Sequence, residues 1–110
     1  MSKIDISIKV NDYKIKTQGI KREHIISCID NNDKKTKVTI NTKELALTRE
    51  NDELIIKIDF KNKNIKYYLK DHNKTATSPI KINEIKKEKS SIKIDYINEN
   101  KRFNLEIDYK

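Results

Sequence analysis

The feature that most restricts how this chain folds is apolar alternation at a period of two. In the stretch 54–70, LIIKIDFKNKNIKYYLK, Leu54, Ile56, Ile58 and Phe60 recur at every second position. After KNKN, the residues Ile65, Tyr67 and Leu69 recur in the same way. Successive side chains on a strand point to opposite faces, so all seven belong to one side of a sheet. A four-residue turn at Lys61–Asn64 predicts the pairs Phe60–Ile65, Ile58–Tyr67 and Ile56–Leu69. Lys57, Asp59, Lys66 and Lys70 then face water.

The same pattern runs through the rest of the chain. Ile4, Ile6, Ile8 and Val10 share a phase, and a two-residue turn at Asn11-Asp12 predicts the pairs Val10–Tyr13, Ile8–Ile15 and Ile6–Thr17. Gly19 is expected to end or kink that second strand. The segment Arg22–Asp30 pairs with Thr36–Ile40, setting Cys28 against Val38 and Ile26 against Ile40. Ile25 and Ile29 then lie on the outer face as an apolar patch or subunit contact. Glu44–Arg49 turns at Glu50-Asn51, which predicts Leu47–Leu54 and Leu45–Ile56. DHNKTATSP is a polar connection in which Thr75–Ser78 can still be extended. Pro79 opens a run whose phase breaks at Ile85, predicting a bulge near Asn83-Glu84. EIKKEK is too short and uncapped to stand as a helix. The last hairpin pairs Ile92, Ile94 and Tyr96 with Ile107, Leu105 and Phe103 across Glu99-Asn100, and the chain ends in strand at Tyr109.

These connections are too short for the crossover that parallel strands need, so the pairing is antiparallel. At 110 residues the chain is a single domain spanning 1–110. The expected fold is all-β: an antiparallel up-and-down β-barrel of about eight strands, with a β-sandwich as the alternative. With one Gly and one Pro in the whole chain, Asn and Asp are left to make the turns.

Composition matters most for the charge, which is +8. Of the 25 basic residues 22 are Lys, and Lys, Ile and Asn together supply 54 of the 110 positions. Those are residues with A/T-rich codons, so an AT-rich genome accounts for the bias. A selected nucleic-acid surface leans on Arg, which occurs only at 22, 49 and 102. The N-terminal MSKIDISIKVND alternates instead of forming a signal-peptide core, and no apolar run approaches the roughly 18 residues of a membrane span. A cytoplasmic location without membrane association is the expectation. The lone Cys28 excludes an intramolecular disulfide and a cysteine metal cluster.

The segment 37–109 resembles the YwiB-like family of small bacterial barrels, grouped with the calycins (lipocalin-like barrels). The matching order is VTIN…ELALTREND, IDF, IKYYLKD, IKI, IKIDY and FNLEIDY. Arg49 stands where that family tends to carry an Arg after a short strand. The resemblance implies an eight-stranded antiparallel barrel and assigns no functional residue.

Chemistry-bearing residues are few. His24 and His72 lack ligand spacing; His72 reads as a solvated loop residue and His24 as a structural residue pointing inward or at the rim. Cys28 lies in an apolar phase with no base to activate it. Asp5, Asp59, Asp95, Glu106 and Asp108 alternate with inward residues and so face solvent beside lysines. No cofactor, metal site or catalytic constellation is expected, and the chain is not expected to be an enzyme. The remaining lead is aromatic: Tyr13, Phe60, Tyr67, Tyr96 and Phe103 are all placed inward, with Tyr68 and Tyr109 at a rim or surface. Small barrels either fill with side chains or hold one ligand, so these five are the candidate ligand-binding residues. The expected function is a binding or interaction module for a small apolar or amphipathic molecule, in a monomer or weak homodimer. A nucleic-acid or other polyanion binder with a basic face is the alternative. Its mark would be one acid-free face holding Arg22, Arg49 and Arg102.

Overall fold

The computed structural model describes residues 2–110 and contains eleven β-strands. The first five are β1 (Ser2–Val10), β2 (Tyr13–Arg22), β3 (Ile25–Ile29), β4 (Lys37–Asn41) and β5 (Ala46–Glu50). The rest are β6 (Leu54–Asp59), β7 (Asn64–Leu69), β8 (Lys74–Pro79), β9 (Lys81–Lys87), β10 (Ser91–Asn98) and β11 (Lys101–Tyr109). No helix among the described residues is long and apolar enough to cross a membrane.

All pairings are antiparallel within one sheet of order β8-β7-β6-β5-β4-β3-β2-β1-β11-β10-β9. The two strands at the ends of that order, β8 and β9, are separated in the chain only by Ile80. They are halves of one extended stave: the first half bonds to β7 and the second to β10. The Asn98 amide donates across the join to Ser78 Oγ at 2.8 Å and to the Pro79 carbonyl at 3.1 Å. The sheet thus curls into a nearly closed up-and-down barrel. The expected figure of about eight strands is too low because β8 and β9 carry little continuous apolar signal; backbone pairing recruits them.

Three hairpins match expectation. Val10–Tyr13, Ile8–Ile15 and Ile6–Thr17 pair in β1–β2. Cys28–Val38 and Ile26–Ile40 pair in β3–β4, and the β10–β11 partners are as predicted. The register shift of β9 against β10 leaves Asn83 unpaired between Ile82 and Glu84, which is the expected bulge. The segment EIKKEK runs into this strand, and Pro79 closes β8 instead of opening a strand.

Two registers need correction. In β6–β7 the pairs are Leu54–Leu69, Ile56–Tyr67 and Ile58–Ile65, two positions from the expected set. Asp59 takes the turn one pair earlier: its carboxylate accepts the Asn62 amide N–H at 3.0 Å, and Phe60 N–H leaves the ladder for the Leu45 carbonyl at 3.0 Å. In β5–β6, Leu47 faces Ile58 and Arg49 faces Ile56, four positions from the expected Leu47–Leu54 and Leu45–Ile56. Here Asn51 Oδ1 collects the N–H groups of Glu53 and Leu54, both at 2.9 Å. Both shifts are even, so every side chain keeps its predicted face.

Gly19 neither ends β2 nor carries a positive φ; it sits buried between Ile4 and Cys28 on neighbouring strands. A Cβ there would lie 2.5 Å from the Ser27 carbonyl oxygen and closer still to the Ile6 Cδ1. The left-handed turn positions fall instead on Asn11, Asn73 and Asn100, and also on Glu23, Leu45, Lys63 and Glu99. Asn therefore shares that task with residues for which a positive φ is costlier, and among the described residues Asp takes none of it.

The barrel is packed unevenly along its axis. We call the end carrying the β1–β2, β3–β4, β5–β6 and β7–β8 connections the near end, and the other the far end. The core is dense around Ile6, Ile26, Ile40, Ile92, Leu105 and Val38, all fully buried. Tyr109, expected at a rim, is part of this core. The far end is tied by Thr42 N–H to the His24 carbonyl at 2.8 Å and by Lys87 Nζ to the Thr42 carbonyl at 2.7 Å. A void lined by Ile40, Leu45, Phe60, Ile92 and Ile107 measures only about 10 Å³, room for no more than one water.

Candidate functional site

At the near end, charge enters the apolar face. Asp30 follows β3 in the same phase as Ile26 and Cys28, so the barrel wall turns its carboxylate inward, where it is fully buried. Arg49 in β5 shares the phase of Leu47 and also points in. Its Nη2 donates to Asp30 Oδ2 at 3.0 Å, and the Tyr13 hydroxyl donates to the same oxygen at 2.6 Å. The other carboxylate oxygen accepts the Asn32 N–H at 2.8 Å. Burying a carboxylate is tolerable only with such partners.

The guanidinium also lies over the Tyr13 ring, 5.5 Å from its centroid. Hydrogen bonding to Asp30, helped by partial burial, raises the Tyr13 hydroxyl pKa above its usual value. Tyr13 keeps the inward phase of Ile15 but is not enclosed as expected: it is 41 % exposed at the rim of the near end. The two-residue turn places it just beyond the last core pair, and its hydroxyl reaches back over the rim to Asp30.

Beside this cluster the apolar face stays open. Arg49 is paired with Ile56, Ile56 with Tyr67, and Tyr67 with Ala76, while Leu54 faces Leu69 one row nearer the end. Ile56, Tyr67 and Leu54 are only half-buried and Leu69 is 42 % exposed, although all point inward. A recess of about 170 Å³ lies here, lined by Asp33, Thr36, Arg49, Glu50, Asn51, Leu54 and Ile56. The Arg49 Nε is buried and meets no hydrogen-bond partner among the described residues. Such an orphan donor calls for an acceptor from a ligand or water.

The remaining aromatic candidates form a ladder across the interior. Phe60 packs edge-on against Tyr96 with centroids 5.3 Å apart, and Tyr96 stacks on Phe103 at 5.2 Å. Phe60 and Tyr96 are buried; Phe103, like Tyr67, is half-buried. Burial pushes the Tyr96 hydroxyl up to about 12, with the neighbouring Tyr67 adding to it. Of the five candidates, Tyr67 and Phe103 are half-open, Phe60 and Tyr96 are packed in the core, and Tyr13 is a rim post.

Other side chains are placed away from chemistry. Cys28 is buried, and burial, with the Asp30 charge adding to it, pushes its thiol up to about 11. A thiol so protonated is a poor nucleophile. His72 is exposed, and so is His24, which sits in the β2–β3 turn at the barrel's end, the rim alternative of its two expected placements, and contributes its carbonyl. Among the described residues no three His, Cys, Asp or Glu side chains gather as a metal site.

The three arginines do not share a face. Arg49 points inward to Asp30, Arg102 is clasped by Asp95 on the outside of β11, and Arg22 is exposed at the far end of β2. Elsewhere Lys61–Glu44, Lys70–Glu50 and Lys86–Glu84 interleave the two signs. The expected mark of a polyanion site is thus not met.

A scan of family models and searches of curated proteins and of solved structures return no match to this chain. The sequence marks Asp30 only as the end of a strand, and Arg49 only as a point of family resemblance and a member of a possible basic face. The usable signal was phase: both are charged residues standing where their strands turn apolar side chains inward.

Proposed function

We propose that this protein is a non-enzymatic binding barrel that takes a small amphipathic molecule at its near end, not in an enclosed central cavity. The observation that carries this reading is the half-open apolar group at the near end: Ile56 and Tyr67 are half-buried and Leu69 is exposed, although all three point inward. The buried and unpartnered Arg49 Nε stands at the edge of the same opening. An apolar tail would lie on Ile56, Tyr67, Leu69 and Phe103, and a head group with an acceptor oxygen would meet Arg49. Apolar surface with a few convergent polar groups is the usual make-up of a ligand site. A calycin-like barrel of the YwiB-like type, inferred from the motif order between 37 and 109, is compatible with this use.

The test is titration with 1-anilinonaphthalene-8-sulfonate, followed by displacement with dodecanoate. Binding should be saturable, Tyr67→Ala should weaken both ligands, and Arg49→Gln should weaken dodecanoate more than decanol. No saturable binding by the folded protein, or binding indifferent to both substitutions, would remove the reading.

A further inference from the structure

A second surface, on the outside of the barrel and away from the near-end opening, carries a different implication. Ile20 on β2 faces Ser27 on β3, and Ile25 and Ile29 lie two residues to either side of Ser27. All three isoleucines are exposed, Ile29 the most at 46 %. Ile20 and Ile25, with Arg22 and Ser27, line a shallow depression of about 400 Å³, and Ile29 lies beyond Ser27 on the same strand. Three isoleucines together on the water-facing side of two adjacent strands depart from polar-out alternation, as Ile55 and Ile97 do singly elsewhere.

The rim is basic. Lys3 is paired with Ile20, Arg22 with Ile25, and Lys37 with Ile29. None of these three cations has a carboxylate within ion-pair distance among the described residues, while Arg49 and Arg102 are both taken up by internal carboxylates. Two nearby acids temper the rim: Asp5 accepts from the neutral Gln18 and keeps its charge, and Glu50, opposite Lys37, also holds Lys70. Glu23 follows Arg22 in the turn. Arg22 thus offers an unused guanidinium fork, the group best suited to a carboxylate, at the edge of an apolar centre.

We propose that the outer face of β2 and β3 docks an acidic partner segment with apolar residues at its centre. Both edges of β2 and of β3 are already paired, so the segment binds through side chains and not by adding a strand. A second copy of this chain is a poor occupant. Two copies would set like-charged rims face to face on a molecule of net charge +8. Three isoleucines also supply only a small part of the roughly 800 Å² per partner that a stable dimer buries. The size of the patch suits a weak, salt-sensitive contact.

The experiment is an NMR titration of the ¹⁵N-labelled full chain with a capped octapeptide of alternating leucine and glutamate, at low and at physiological salt. Amide shifts should centre on Ile20, Arg22, Ile25 and Ser27 and shrink with salt. Ile25→Ser and Arg22→Gln should each weaken binding by about tenfold, with thermal stability unchanged because both sites are exposed. Equal binding of a control octapeptide with lysine in place of each glutamate, shifts centred elsewhere, or full affinity in Arg22→Gln would overturn the proposal. So would dimerisation in sedimentation runs that Ile25→Ser abolishes. Co-sedimentation with phosphatidylserine vesicles, without shifts from the peptide, would overturn it in favour of a lipid surface.

Discussion

Single residues set several limits on this molecule, and Gly19 sets the tightest. Replacing a strand glycine by alanine normally helps by about 0.5–1 kcal/mol, because glycine loses more backbone freedom on folding. Here the added methyl would meet the Ser27 carbonyl at 2.5 Å, and that oxygen belongs to a neighbouring strand that cannot rotate away. Overpacking of this kind costs about 1–3 kcal/mol, so it outweighs the backbone gain. Gly19→Ala should lower the unfolding free energy by about 2 kcal/mol in a urea melt; a stabilised variant would show that β3 stands further off. Cys28 sets a limit of another kind. Its thiol titrates near 9.0 when free and at about 11 in the fold, so the folded state holds its proton longer. Stability from this source is whole below pH 9 and is lost as pH rises toward 11, with Tyr96, raised from 10.0 to about 12, extending the loss. The urea midpoint should fall from about pH 9 upward, and Cys28→Ala should flatten the part between 9 and 11. A thiol reagent should label native Cys28 slowly and the unfolded chain fast. A midpoint flat to pH 11, or rapid native labelling, would contradict the burial of that side chain.

At the scale of elements, the hairpins show which parts of the fold were open to reading. In β1–β2 and β10–β11 the turn has two residues, so turn position and apolar phase together leave a single register. Both central residues of the β10–β11 turn have positive φ, 51° at Glu99 and 65° at Asn100. Glutamate tolerates that backbone poorly and asparagine well, so Glu99→Asn should stabilise the protein by about 0.5–1 kcal/mol. An unchanged or lower midpoint in thermal unfolding would mean the turn relaxes some other way. The β5–β6 and β6–β7 turns were legible only to the nearest even number. Asn51 and Asp59 cap their turns with side-chain oxygens, and phase alone carries no record of where such a cap begins. The same argument explains the site. Which residues face inward could be read from phase, including Ile56, Tyr67 and Phe103, but how deeply each is covered depends on neighbours distant in the chain. Tyr13 was misplaced for that reason. Asp30 and Arg49, 19 residues apart, meet only because β3, β4 and β5 lie side by side.

For the molecule as a whole, the +8 charge is spread among carboxylates and the arginines lie apart, so charge alone gives the barrel no single polyanion-facing side. The ring also has a seam where β1 meets β11. There Ile6 pairs with Tyr109 and Val10 with Leu105, while every other ladder joins strands that follow one another closely in the chain. Drawing together ends so far apart is entropically the most expensive contact in the molecule, and it pays back only once both strands are in place. Local hairpins should therefore form early and the seam late. We expect Ile8→Val, at the seam, to speed unfolding while leaving the refolding rate nearly unchanged, and Ile94→Val in the β10–β11 hairpin to slow refolding. Stopped-flow urea jumps would decide, and a slowed refolding of Ile8→Val alone would reverse the order. The consequence reaches protein synthesis: a ribosome must release β11 before the barrel can shut, so during translation β1 waits for that partner until every strand between them has emerged.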